Sequence, residues 1–294
     1  MTASTIQELL REGEARLRSR GLDSPRLDAE LLLAHVTGLD RLRLFTSGQR
    51  RPEPEQIARF EELLNQRSTH KPVAQILGYR DFYNARFRVS PAVLIPRPET
   101  EELVEFALQT LMERAEDPDP GEPSVLDLCC GSGCIGLSLA LERPELRVDL
   151  TDISPDALDV ARENADAILG DAAHQVRFFQ GDLFRALPTT DGRPYTGILC
   201  NPPYIHPDES ESLDRDVRDF EPHLALFHED PAGLYASIVE QARGHLEPVG
   251  FLGLELAPRW VEISLREARR HFQEAEIRRD LSGLERFLIA RRPK

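Results

Sequence analysis

Residues 125–137, VLDLCCGSGCIGL, restrict the possible folds more than any other stretch of the chain. An apolar run that reads as a buried strand leads into Gly131, Gly133 and Gly136, and a second apolar run of helical length comes after them. Glycine adopts dihedrals that side chains forbid and lets the backbone approach a ligand closely. This spacing between a strand and a helix marks a nucleotide-binding βαβ unit and predicts an acid about 20 residues further on. Asp152 stands 21 residues beyond Gly131, at the end of RVDLTD, where a carboxylate can accept both hydroxyls of a ribose.

The surrounding pattern agrees. IGLSLALE, PDALDVARENADAIL and DPAGLYASIVEQARGHL read as helices, while RVDLTD, QVRFFQGD, GILCNPP and FLGLELA read as strands. The alternation predicts an α/β domain with a doubly wound, mostly parallel sheet, and DLSGLERFLIARR is expected to close its edge as a terminal strand pair. Residues 4–70 read instead as a small helical bundle. Its first helix runs from about Ser4 to Ser19 on Ile6, Leu9, Leu10 and Leu17. The second opens at Ser24-Pro25 and carries Leu27, Leu31, Leu32 and Val36. A third begins near Pro52–Glu55 and carries Ile57, Phe60 and Leu64. Residues 73–95, aromatic and β-branched around a turn-prone Tyr83-Asn84-Ala85, predict a β-hairpin linking the bundle to the α/β domain. Pro96, Pro98 and Thr100 start another helix, expected to end before the Pro/Asp-rich stretch 116–123.

Bulk properties narrow the partners. The 294 residues suffice for two domains, and the net charge of −15 offers little to neutralise phosphates, which argues against a nucleic-acid substrate. No run approaches the ~18 apolar residues of a membrane span, and the N-terminus lacks a signal-peptide pattern, so a cytoplasmic location is expected. Cys129, Cys130, Cys134 and Cys200 match no usual zinc spacing and read as small residues packing a tight turn, with no metal expected.

The glycine loop alone fits a nicotinamide or flavin dinucleotide as well as S-adenosylmethionine. Asp127, four residues before Gly131, tips the balance toward S-adenosylmethionine, since it can orient the loop or meet a methionyl ammonium. In Gln180–Phe184 the Asp182 carboxylate can accept from an adenine amino group, with Leu183 and Phe184 offering apolar contact to the ring. The most informative segment is Asn201-Pro202-Pro203-Tyr204, after the strand GILC. Two prolines stiffen the chain and remove two donors, leaving carbonyls free to accept. The Asn201 side-chain oxygen and the Pro202 carbonyl can hold both hydrogens of an –NH2 group, and Tyr204 offers a flat face to a planar amide or base. Drawing on those hydrogens raises electron density on a delocalised nitrogen and aims it at a methyl donor.

At these residues the chain resembles the peptide chain release factor glutamine N5-methyltransferases, the PrmC/HemK family. The resemblance runs nearly end to end through SPRLDAELLLAHVTGLDRL, PVAQILGYRDFYNARFRVSPAVLIPRPETEELV, the glycine loop, NPPYI, FEPHLALF and DLSGLERFLIARR. It implies a helical bundle over 1–72 that engages the release factor and a β-hairpin linker over 73–96. A Rossmann-like class I methyltransferase domain, with a seven-stranded, mostly parallel sheet, is implied for 97–294. The implied reaction methylates the glutamine of the Gly-Gly-Gln loop of class 1 release factors, by a monomer using S-adenosylmethionine. Carried over by position, Cys129, Cys130, Gly131, Ser132, Gly133, Asp152, Leu183 and Asn201 contact the cofactor. Asn201 to Tyr204 receive the glutamine amide, and Arg97 to Glu101 wall the pocket. Three residues, in two segments, depart from the family pattern. Family members commonly read D-L-G-T-G-S-G, where this chain has Cys129-Cys130 for Gly-Thr, and Leu183 stands where an aromatic often stacks.

Related chemistries share the tetrad. Glutamine methyltransferases of a large-subunit ribosomal protein usually carry P-R-S-P-I, unlike the Pro96-Arg97-Pro98-Glu99-Thr100 found here. Adenine-N6 methyltransferases of nucleic acids are disfavoured by the acidic charge and the lack of a basic recognition domain. A binding module without turnover is disfavoured by the intact Asn201–Tyr204 and Asp152.

Overall fold

The structure, a computed structural model, describes residues 4–114, 122–188 and 193–294. Most of the Pro/Asp-rich stretch at 116–123 lies outside the described residues. The chain divides into two compact units, residues 1–78 with 214–220, and residues 79–213 with 221–294.

The first unit contains α1 (Ile6–Arg18), α2 (Pro25–Thr37), α3 (Arg41–Thr46), α4 (Pro54–Arg67) and α5 (Val73–Leu77). A capping box between Thr5 and Glu8 starts α1, and Gly38 at φ +68 ends α2. Ile6, Leu9, Leu10, Leu32, Leu33, Phe60 and Leu64 form its core. The buried face of α2 differs from the apolar stripe read from the sequence. Asp28, Ala29, Leu32 and Leu33 point inward, and Leu27 is exposed. The cause is a buried ion pair, in which Arg67 Nε donates to Asp28 Oδ2 at 2.7 Å. Hydrophobic periodicity cannot register a charge that turns inward. Val73–Leu77 also departs from expectation, being one helical turn rather than the first arm of a hairpin. Gly78 caps it at φ +82, and Gln75 Nε2 donates to the Phe220 carbonyl at 2.8 Å, so tertiary bonding overrides the strand preference of Val73 and Ile76.

In the second unit the hairpin consists of β1 (Tyr79–Phe82) and β2 (Ala85–Arg88) around Tyr83-Asn84. There follow α6 (Thr100–Arg114), β3 (Ser124–Leu128), α7 (Cys134–Glu142), β4 (Arg147–Asp152), α8 (Pro155–Leu169), β5 (Val176–Gln180) and β6 (Tyr195–Cys200). Next come α9 (Arg215–Phe220), which belongs to the first unit, and α10 (His223–Leu226). The chain closes with α11 (Pro231–Ala242), β7 (Leu246–Glu255), α12 (Val261–His271), β8 (Phe272–Arg279) and β9 (Glu285–Pro293). The seven-stranded sheet has the order β5-β4-β3-β6-β7-β9-β8, and its first five strands are parallel. All residues of β3 and β6 are buried, as strands covered on both faces require. One core, with α6, α7 and α8, covers one face; a second, with α11 and α12, covers the other.

The terminal segment is only half of the expected strand pair. Asp280–Leu284 is a turn, and β9 lies inside the sheet between β7 and β8. Its Phe287–Ala290 run is buried, whereas β8, FQEAEIRR, takes the edge with mostly polar, partly exposed residues. Among the described residues, no helix is long and apolar enough to cross a membrane.

Candidate active site

Strands β4 and β5 extend the sheet to one side of β3, after which the chain returns to place β6 on the other side. Loops leaving β3 and β6 therefore diverge at the carboxyl edge, opening the crevice where open α/β sheets bind ligands. A cavity of about 400 Å³ lies there, within the range of small-molecule sites. It is lined by Cys129, Cys130, Gly131 and Ser132 after β3, Asp152 after β4, Asp182 and Leu183 after β5, and Asn201 and Pro203 after β6. Asp127, Gly133, Pro202 and Tyr204 are not among its lining residues.

The glycine loop is held by its own backbone and by Asp152. The Cys130 N–H donates to the Thr151 carbonyl at 3.0 Å, and Gly133 N–H to the Cys130 carbonyl at 2.8 Å. Asp152 Oδ2 accepts the Gly131 N–H and Oδ1 accepts the Ser154 N–H, both at 2.9 Å. Burial raises its carboxyl pKa, while those two bonds oppose the shift. Each oxygen keeps a lone pair for a ribose hydroxyl. Gly131 sits at φ +53, and a Cβ there would meet no heavy atom within 4 Å, so the backbone cradles open space that a side chain would fill. That geometry fits a nucleoside cofactor lying against the loop.

Asp127 lies behind the glycine loop and bonds to its third glycine. Its carboxylate is buried, Oδ2 accepts the Gly136 N–H at 2.8 Å, and it thereby ties β3 to the first turn of α7. Burial pushes its pKa up to about 7. Phe184 is likewise turned from the cavity into the core, stacked on His245 with centroids 4.7 Å apart. Asp182 and Leu183 do face the cavity, Leu183 at φ +48. The four cysteines are free, and burial pushes the thiols of Cys130, Cys134 and Cys200 above their ordinary range, keeping them neutral.

The tetrad is fixed from two sides. Trp260 Nε1 donates to the Tyr204 carbonyl at 3.1 Å. Ile205 forms a bridge to Phe227, with its N–H on the Leu226 carbonyl at 3.1 Å and its carbonyl accepting from His228 N–H at 2.9 Å. The Tyr204 ring packs against the second core, where burial lifts its phenol to about 12. Of the segment Arg97–Glu101, only Arg97 and Thr100 reach the cavity. Arg97 is held by buried Glu221 at 2.6 Å, and the same carboxylate accepts the Ile95 N–H at 3.1 Å. Leu224, Phe227 and His228 complete this wall.

Composition gave no hint of two supporting residues. Trp260 lies far along the chain, and buried Asn164 on α8 carries no motif. Asn164 Oδ1 accepts the Arg88 N–H at 2.7 Å, while Nδ2 donates to the Arg88 carbonyl at 3.1 Å and the Ser132 carbonyl at 2.9 Å. One amide thus ties the hairpin to the glycine loop.

Two family models match the chain, the PrmC N-terminal domain over residues 8–78 and the methyltransferase small domain over residues 101–216. A release factor glutamine methyltransferase of Leptospira interrogans is 40% identical over 289 residues, covering 98% of each chain. Another, from Escherichia coli, is 38% identical over 290 residues, covering 97% of this chain and 98% of its own length. Among solved structures, the hMettl16 catalytic domain in complex with MAT2A 3′UTR hairpin 1 superposes with a TM-score of 0.54 at 12% identity. That match covers 82% of this chain and 81% of the other, and supports the fold alone. By near-full-length similarity to its relatives, the chain belongs to the release factor glutamine methyltransferase family.

Proposed function

We propose that the chain transfers a methyl group from S-adenosyl-L-methionine to the side-chain amide N5 of the glutamine in the Gly-Gly-Gln loop of class 1 release factors. The observation that carries this reading is that Asn201, after β6, and the glycine loop, after β3, line one cavity at the point where the strand order reverses. Names borne by relatives of the same length point to release factor glutamine as the acceptor.

When bound, S-adenosylmethionine would supply an electrophilic methyl group on a sulfonium and leave as S-adenosyl-L-homocysteine, with one amide proton released to solvent. Asp152 holds the ribose hydroxyls, Asp182 and Leu183 meet the adenine, and the backbone of Cys129 to Gly133 follows the cofactor. Asn201 Oδ1 and the Pro202 carbonyl accept the two hydrogens of the substrate amide, while Pro203 and Tyr204 stiffen and back that loop. An amide nitrogen is a weak nucleophile, so this chain contributes by orientation and by acceptors that raise electron density on nitrogen. Asp127 acts indirectly, through the start of α7. The bundle over 1–72 engages the release factor, and the chain works as a monomer.

Mass spectrometry of the Gly-Gly-Gln peptide, after incubating release factor with enzyme and cofactor, tests the reading. A single added methyl on glutamine is expected. Methyl incorporation into a ribosomal protein or DNA, with none in the release factor, would overturn it. Asn201→Ala is expected to lower kcat at least 100-fold while cofactor Kd stays within about threefold, as removal of a transition-state contact predicts. Equal loss of both would make Asn201 a cofactor ligand first.

A further inference from the structure

Two buried polar residues stand behind Asn201. Thr100, the first residue of α6, and Glu255, the last residue of β7, are each 2% exposed. The Thr100 hydroxyl donates to Glu255 Oε2 at 2.7 Å, and Asn201 Nδ2 donates to Thr100 Oγ1 at 3.5 Å. Thr100 and Asn201 line the cavity, whereas Glu255 does not.

Proton counting fixes the direction of this chain of bonds. A hydroxyl owns one hydrogen, and an ionised carboxylate only accepts, so the Thr100 hydrogen is committed to Glu255. What Thr100 can offer Asn201 is a lone pair. The Asn201 amide must then present its NH2 to Thr100, because the flipped amide would set two acceptors face to face. The long contact of 3.5 Å is of the kind that tightens when a substrate fills the site.

We propose that Thr100 and Glu255 are positioning residues that lock the Asn201 side chain in the one orientation leaving Oδ1 free to accept a substrate amide hydrogen. The proposal rests on the reading of Asn201 as that acceptor. A charge-assisted bond at one end of the chain also polarises the next, which makes Asn201 Oδ1 the stronger acceptor. Burial raises the Glu255 pKa and the Glu99 charge adds to the rise, while the Thr100 bond and the charges of Arg286 and Arg97 oppose it.

The test compares Thr100→Val, which keeps the shape and removes the hydroxyl, with Thr100→Ser, which keeps the hydroxyl. Each is assayed for kcat, KM and cofactor Kd on whichever amide the wild-type protein methylates, beside Asn201→Ala. Expected is a 10- to 100-fold fall in kcat for Thr100→Val, with cofactor Kd within threefold, and recovery to within threefold of wild type in Thr100→Ser. Glu255→Gln, close in volume, is expected to lie between them and serves if Thr100→Val does not fold. Wild-type kcat in Thr100→Val or in Glu255→Gln would overturn the proposal, as would a serine variant no better than valine. If Asn201→Ala also keeps full kcat, the reading of Asn201 fails first and the positioning role with it. Methylation of another acceptor by the wild type would refute the proposed substrate alone, since the valine–serine contrast is still read on that acceptor.

Discussion

At the scale of single residues, the loop after β3 shows what a departure from its family pattern costs. Cys129 stands where the resembled family has glycine, and its backbone is left-handed at φ +56. For a residue bearing a Cβ that conformation costs about 1–2 kcal/mol. The side chain offsets part of this by packing against the second core. Ordinarily an alanine variant is more stable than a glycine variant at the same site, because glycine loses more entropy on folding. Here the order is expected to reverse, with Cys129→Gly more stable than Cys129→Ala by about 1 kcal/mol in equilibrium urea denaturation. Alanine equal to or above glycine would mean that the loop relaxes the dihedral at no cost. The places of Gly131 and Asp152 on the cavity wall were legible because both follow from spacing along one βαβ unit. That of Phe184 was not, because Leu183 turns left-handed just before it at φ +48, and facing cannot be counted through such a turn.

At the scale of elements, the alternation of strands and helices was legible because apolar runs buried on both faces leave little ambiguity. What escaped were elements held by polar tertiary bonds, such as the single turn Val73–Leu77, or by pairing alone, such as the polar edge strand β8. Asn164 illustrates how such bonds position a site. Its side chain pairs with both backbone groups of Arg88 at the end of β2 and with the Ser132 carbonyl beside Gly131. Replacing it with alanine strands a backbone donor and two acceptors, at a cost of about 2–3 kcal/mol. Asn164→Ala is therefore expected to lower the urea midpoint and to weaken cofactor binding several-fold by calorimetry, although it touches no cofactor. An unchanged midpoint would show that the hairpin and loop hold their places without it.

At the scale of the whole molecule, the position of the site is set by topology, for the chain reverses direction across β3 and leaves its two informative loops side by side. That much can be argued from strand order, and strand order comes from alternation. The membership of residues 214–220 in the first unit cannot, because α9 is six residues long and carries no apolar pattern. Its tie is electrostatic. Arg67 reaches Asp28 at 2.7 Å and Asp216 at 2.7 Å, donates to the carbonyls of His70 at 3.0 Å and Lys71 at 3.1 Å, and is itself only 5% exposed. Burial raises the Asp28 pKa, and the Arg67 charge is what opposes the shift. Removing the cation leaves Asp28 buried without it, which typically costs about 3–5 kcal/mol. Arg67→Met, which keeps the length of the stem, is thus expected to lose most of that amount in urea denaturation near neutral pH. The double variant Arg67→Met with Asp28→Leu should recover a large part of it, because no charge is then stranded. If the double variant is no more stable than the single one, the loss comes from packing or from the carbonyl bonds, and the buried pair does not hold this unit together.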